Sequence, residues 1–214
     1  DIVINSAAKV NHFGKYETFY NINVKGVKNI IDFCLLYNKR FYQISTLSVS
    51  GNSFVDSYAN EQNFSDTRTF SEDKFFIGQT LNNVYVRTKF EAEKLVLDSI
   101  IDNNLNGYIL RVGNLMSRLK DGKFQQNIQD NAYLNRLEAF LNIGYIPRNI
   151  SNAYLEFTPI DCCADSIIKL ISCSNNKNRI FHLYNHNHLY LHKLLDILKE
   201  LNHPIKVVDD NEFK

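Results

Sequence analysis

The sequence predicts an α/β fold built on a parallel sheet, and three observations carry that reading. Short apolar runs such as Ile2–Asn5, Phe41–Ile44 and Tyr108–Val112 alternate with stretches of helical apolar spacing. Strands and helices alternating in this way make parallel βα units. The runs end in small or polar residues: Ser6-Ala7-Ala8, Ser45-Thr46 and Gly113-Asn114. Finally, 214 residues with 44% hydrophobic and 22% charged side chains suffice for one ordinary globular domain, or one with a small lobe.

Each element follows from its local pattern. Ile2–Asn5 is the first strand. Val24, Val27, Ile30, Ile31, Cys34 and Leu35 form one helical stripe, and Phe41–Ile44 is the next strand. Residues 52–83, rich in Asn, Ser, Asp and Phe, lack steady periodicity and read as a long loop, of a length that is usually functional or mobile. A helix then begins near Tyr85, with Val86, Phe90, Ala92, Leu95, Val96 and Ile100 on its apolar side. Tyr108–Val112 is a strand, followed by an irregular turn at Gly113-Asn114-Leu115-Met116. Asn131–Asn142 is predicted helical. Thr158-Pro159-Ile160-Asp161 reads as a helix start, with Thr158 as N-cap and Pro159 in the first turn. Ile180–Tyr184 is a strand, Leu191–Leu201 a helix and Ile205–Val208 a last strand.

Composition excludes several classes. A formal net charge of +1 offers no electrostatic case for nucleic acid or an anionic membrane. No apolar run reaches membrane-spanning length, and no segment reads as a signal peptide. Cys34 lies on an apolar helical face, and the neighbours Cys162 and Cys163 cannot readily bond each other. With Cys173 they read as reduced thiols of a cytoplasmic protein. The chain opens inside a strand without an initiator Met, so further polypeptide is expected before Asp1, and the tail after Val208 suggests the same at the other end.

The chemistry concentrates at Tyr85-Val-Arg-Thr-Lys89 and Thr46. A Tyr and a Lys four apart share a helix face. A lysine beneath a phenol favours the phenolate and would lower the Tyr pKa toward neutrality, as a proton donor for carbonyl reduction requires. The Thr46 hydroxyl can hydrogen-bond the same carbonyl oxygen as negative charge develops on it. In an open parallel sheet, ligands sit at the carboxyl ends of the strands. Ser6, Ala7 and Ala8 would there admit a flat cofactor ring, with simple helix–strand packing as the bland alternative. His182, His186, His188 and His192 suggest a metal, yet no Cys or acid completes a shell, so none is expected. For His12, after the first strand, a packing or substrate-rim role stands beside a direct one.

The series Asn5-Ser-Ala-Ala8, Asn23-Val-Lys-Gly26, Ser45-Thr-Leu-Ser-Val49, Tyr85-x-x-x-Lys89 and Arg111-Val-Gly-Asn114 resembles an extended short-chain dehydrogenase/reductase with a Rossmann-like sheet. Within that superfamily, Val10-Asn11-His12, Asn23–Asn29, Arg111–Met116 and Glu156-Phe-Thr-Pro-Ile-Asp161 resemble the terminal thioester reductase domain of nonribosomal peptide synthetases. Carboxylic acid reductases and the aminoadipate reductase carry relatives of it. The resemblance implies a catalytic triad of Thr46, Tyr85 and Lys89, with Asn23 holding the lysine's polar network. It places the cofactor against Ser6, Ala7, Ala8, Tyr85, Lys89, Gly113 and Asn114, and substrate near His12, Leu115 and Met116. The pattern departs from the family in two ways. The first strands and their glycine-rich phosphate turn are absent, and Ser117 stands where relatives carry Gly.

The resemblance therefore implies NADPH-dependent reduction of a thioester on the phosphopantetheine arm of an upstream peptidyl carrier domain. An aldehyde would be released, and a second reduction would give the alcohol. Whether NAD or NADP serves is set by the absent phosphate turn. Residues 1–116 are expected to form a partial nucleotide-binding core carrying the triad. Residues 117–214 are expected to be mainly a substrate lobe, with core elements returning at about 154–184. The rival readings are an acyl-CoA reductase, a nucleotide-sugar epimerase or dehydratase of the same superfamily, and a non-catalytic fragment.

Overall fold

The computed structural model describes residues 1–11, 13–54, 70–173, 178–187 and 189–213. In chain order the elements begin with β1 (Ile2–Asn5), α1 (Tyr16–Tyr20), a π-helical turn (Asn21–Lys25), α2 (Gly26–Leu36) and β2 (Arg40–Thr46). Next come α3 (Val84–Asn103), β3 (Gly107–Val112), β4 (Leu115–Met116), α4 (Ala132–Ile143), β5 (Tyr145–Pro147), β6 (Tyr154–Leu155) and β7 (Thr158–Pro159). The chain continues through α5 (Ile160–Ser172), β8 (Ile180–Leu183), β9 (Leu189–Tyr190), α6 (Leu191–Glu200) and β10 (Lys206–Val208).

Two compact units emerge. The first takes its described residues from Asp1–Phe54, 70–113 and Cys163–Leu183. Its sheet has the order β1-β2-β3-β8, with every pairing parallel. Side chains alternate between the faces of a strand, so each face receives its own helices. Phe41 and Ile109 pack with Val27, Ile31 and Cys34 of α2 and Ala92 and Val96 of α3. Tyr42, Tyr108 and Leu110 point the other way and meet Ile167, Leu170 and Ile171 of α5. Each fully buried side chain of this size contributes about 1.5–3 kcal/mol.

Helix α3 starts where Asn83 caps it, its side-chain oxygen accepting from Tyr85 N at 2.9 Å and Val86 N at 3.2 Å. It stops at Asn104, which is left-handed with φ 56°. Asn tolerates that region better than most residues, which makes it a workable C-terminal stop.

The second unit takes its described residues from Asn114–Cys162, 184–187 and 189–213. Short pairs β4–β7, β5–β10 and β6–β9 frame a cluster of Ile146, Leu155, Leu191 and Leu195, packed against Leu137 and Phe140 of α4. The expected cap at Thr158 does not form. Thr158 lies instead in β7, its hydroxyl bonded to Glu156 and accepting from Asn185 N, and the helix begins at Ile160. Hydroxyls favour caps only while no tertiary partner competes, and here two compete.

Candidate active site

The sheet face beneath α2 and α3 changes character along its strands. Toward their amino ends it carries Val3, Phe41 and Ile109 in the apolar cluster. Two residues further on the same face stand Asn5, Gln43 and Arg111, then Ser45, all buried. Buried polar groups cost free energy unless bonded, so each must find a partner. Asn5 Nδ2 donates to Gln43 Oε1 at 2.9 Å, and Gln43 Nε2 to Ile44 O at 2.8 Å. Ser45 and Arg111 both reach Glu93 of α3. Asn5 Oδ1 accepts from Ala7 N at 3.2 Å, turning the chain so that Ser6 and Ala7 are exposed just past the strand.

Lys89 and Tyr85 project from the first turns of α3. Lys89 is buried, and its Nζ donates to Ile44 O at 2.6 Å. Burial lowers its pKa to about 8, opposed by the negative charge of Glu93 one turn later. Tyr85 is partly buried and hydrogen-bonded to the Thr46 side chain. The sequence led us to expect a phenol shifted toward neutrality, but burial pushes it up to about 12, and the Thr46 bond lowers it only in part. The physical reason is that the Lys89 ammonium is directed at Ile44 O while the phenol loses solvent. Thr46, itself buried, also accepts from Ser48 N at 3.2 Å. Strand β2 and helix α3 therefore bring Thr46, Tyr85 and Lys89 to one carboxyl edge of the sheet.

Asn23 sits in the π-helical turn, a distortion often found at functional sites. Its Oδ1 accepts from Lys9 N at 2.7 Å, and its Nδ2 donates to Lys9 O at 3.0 Å and Thr88 Oγ1 at 3.1 Å. It thus ties the loop after β1 to α3 beside Lys89, rather than bonding Lys89 itself. Gly113 closes β3, its N–H donating to Leu183 O at 3.0 Å. Asn114, Leu115 and Met116 belong to the second unit, where Asn114 N donates to Glu156 at 2.5 Å. His12 and His188 lie outside the described residues. Among those described, no three His, Cys, Asp or Glu converge on a metal position, and no helix is long and apolar enough to cross a membrane.

The described end of the long loop is held closely against this edge. Gln79 Nε2 donates to Val49 O at 3.1 Å and Phe75 O at 3.2 Å. Phe75 stacks on Phe90 of α3 with centroids 4.2 Å apart. Gly51, at φ 70°, passes so near that a Cβ there would lie 2.4 Å from Thr80 O. Only glycine suits both that conformation and that approach.

Sequence reasoning missed Gln43 and Glu93 at this edge; it placed Ser45 at a strand end and Asn5 and Arg111 within motifs, but gave none of the three a bonding role. A signal was present: Arg111 interrupts the apolar run Tyr108–Val112, and Glu93 falls on the apolar stripe of α3 between Ala92 and Val96. Opposite charges on two such faces call for each other, because neither is buried alone.

The fold is that of NAD(P)-binding oxidoreductases of the extended short-chain type. Residues 1–167 match the NAD-binding family described as male sterility protein, and the chain belongs to that family. It is 30% identical over 174 residues to a non-canonical nonribosomal peptide synthetase of Aspergillus campestris, matching 78% of this chain and 15% of that protein. A thiolation-reductase di-domain from an archaeal non-ribosomal peptide synthetase superposes with a TM-score of 0.83 at 35% identity, over all of this chain and 55% of its own. The reductase domain of the aureusimine biosynthetic cluster gives a TM-score of 0.81 at 27% identity, over all of this chain and 53% of its own. The chain thus spans about half the length of these reductase structures.

The family's cofactor is NAD(P), and the residues of the first unit fit its nicotinamide–ribose end. Lys89 is an ammonium with three donors, of which Ile44 O takes one. Ser6 and Ala7 present little side-chain bulk at the exposed turn beyond β1.

Proposed function

We propose that this chain carries the reacting residues of an NADPH-dependent reductase that releases an acyl or peptidyl thioester from a carrier domain as an aldehyde. The observation that carries this reading is the meeting of Thr46, Tyr85 and Lys89 at one edge, with Thr46 and Tyr85 hydrogen-bonded to each other. Lys89 and the Ser6-Ala7 turn would hold the nicotinamide–ribose end of NADPH, which would supply the hydride for the thioester carbonyl carbon. Thr46 and Tyr85 donate hydrogen bonds to the carbonyl oxygen as it becomes an oxyanion. A phenol held near pKa 12 keeps its proton at neutral pH, so Tyr85 arrives as the acid and passes that proton to the oxyanion. The resulting thiohemiacetal collapses to aldehyde and thiol. Lys89, protonated below about pH 8, binds the ribose hydroxyls and restores electrostatic balance as Tyr85 gives up its proton. Asn23 acts on the lysine's surroundings by fixing the Lys9 loop and Thr88. Gly113, Asn114, Leu115 and Met116 are proposed to face cofactor and substrate.

The partner is a carrier domain bearing its substrate on a phosphopantetheine arm. Tethering raises the local substrate concentration to about millimolar, so the free acyl group need not bind tightly. The relatives' multidomain architecture supports this reading. The test compares the full-length protein on one acyl group linked either to its carrier or to coenzyme A, following NADPH consumption and trapping the aldehyde. The carrier-linked substrate should have the far larger specificity constant. Equal constants would instead favour a free acyl-CoA reductase.

A further inference from the structure

We infer that Glu93, Arg111 and Ser45 form a buried positioning device that sets Thr46 against Lys89 and fastens the 70–75 segment to both. The inference rests on the proposed reaction for its function, but its geometry stands alone.

Ser45 and Arg111 are register partners on β2 and β3, and both reach the same carboxylate. Ser45 Oγ donates to Glu93 Oε1 at 2.5 Å, and Arg111 Nη2 to Oε2 at 2.7 Å, with Nε 3.1 Å from each oxygen. Glu93 lies one turn beyond Lys89, whose Nζ holds Ile44 O. Residues 44 and 45 are therefore each bonded to α3 immediately before Thr46. A single bond would leave a pivot, whereas two fix both the distance and the rotation of the strand end relative to the helix.

Arg111 extends the device beyond the triad. Its Nη1 donates to Lys74 O at 3.1 Å and meets His182 Nε2 at 3.2 Å, while Phe70 covers the guanidinium at 4.3 Å. His182 is kept neutral, its pKa lowered to about 4 by burial and by Arg111, so its Nε2 accepts a hydrogen bond from Arg111 Nη1. Its backbone N–H in turn donates to Glu72 at 2.7 Å. One guanidinium thus joins α3, β8 and the loop segment.

Glu93 and Arg111 have no exposed side-chain surface. A buried ion pair is weak grounds for stability, since a well-packed apolar pair commonly does as well, so geometric specificity is the better account. Displacement of a reacting group by about 1 Å can cost about 100-fold in rate, so a fixed register matters most where the chemistry occurs.

The titratable groups on this network are Lys89, Glu93, Arg111, His182 and Glu72. Glu93 is the group that raises the Lys89 pKa against burial. In the full-length protein, Glu93→Gln should lower kcat at least about tenfold. It should also move the alkaline limb of kcat, and of NADPH affinity, to lower pH. Ser45→Ala, which leaves every charge in place, should lower kcat about tenfold with KM little changed and the limb unmoved. A folded Glu93→Gln protein whose alkaline limb stays at the wild-type pH overturns the inference, as does Ser45→Ala at wild-type kcat. If Glu93→Gln does not fold, the kcat and KM of Ser45→Ala decide the matter. Should the wild type bind NADPH but reduce no thioester, the proposed reaction fails, and the shifted NADPH-affinity limb still reads the device.

Discussion

The two halves of one sheet face differ sharply although the same strands and the same helix build both. Near the amino ends, Phe41 and Ile109 face Ala92 and Val96 in a dry cluster. Near the carboxyl ends, Gln43, Ser45 and Arg111 face Lys89 and Glu93 in a buried polar one. The first half is held by non-directional burial, which tolerates apolar exchange of similar volume. The second is held by directional bonds, where each member fixes the position of the next. Stability and positioning are thereby placed in adjacent layers of one element, with helix α3 supplying both.

Substitutions should separate these layers. The largest loss of stability belongs to the dry half: Phe41→Ala should cost about 3–5 kcal/mol in denaturant unfolding, because neighbours only partly collapse into the cavity. In the fraction that remains folded, KM for NADPH should change little.

A smaller effect belongs to the polar half and depends on pH. His182 titrates in the folded protein near 4 but near 6.5 when unfolded, so the unfolded state binds more protons between those values. Its contribution is complete above pH 6.5 and is lost as pH falls toward 4. Allowing for partial exposure, the loss is roughly 1–2 kcal/mol. His182→Phe, which keeps a ring beside Phe70, should flatten this acid dependence in melts taken from pH 7 to pH 4. An unchanged dependence would remove His182 from the network.

The smallest effect belongs to the helix that spans both halves. Asn83→Ala removes the oxygen that accepts from Tyr85 N and Val86 N, at a cost of about 1 kcal/mol. Turnover should fall by less than tenfold, because packing of α3 on the dry half still places Tyr85. Thermal melts and kcat on one preparation would check both figures.

Which parts were legible follows the same division. The dry half was plain in the sequence, since Val27, Ile31, Cys34, Ala92 and Val96 repeat with helical period and Phe41 and Ile109 lie in short apolar runs. Tyr85, Lys89 and Thr46 were legible from spacing and from the strand end they follow. The polar partners were not, because Glu93 and Arg111 are 18 residues apart and no periodicity links them. The direction of the Tyr85 shift was misjudged for a related reason: spacing puts Lys89 on the phenol's face but cannot show that Ile44 O claims its ammonium. The Thr158 cap failed because Glu156 and Asn185 compete for its hydroxyl.

The central claim is that Tyr85 is the proton donor in carrier-linked thioester reduction. It is tested most directly by single-turnover NADPH oxidation in the full-length protein with Tyr85→Phe, which keeps the ring and removes the proton. The rate should fall by about 100-fold or more with NADPH affinity nearly unchanged. Aldehyde release at a near-normal rate from a carrier-bound thioester would contradict the account.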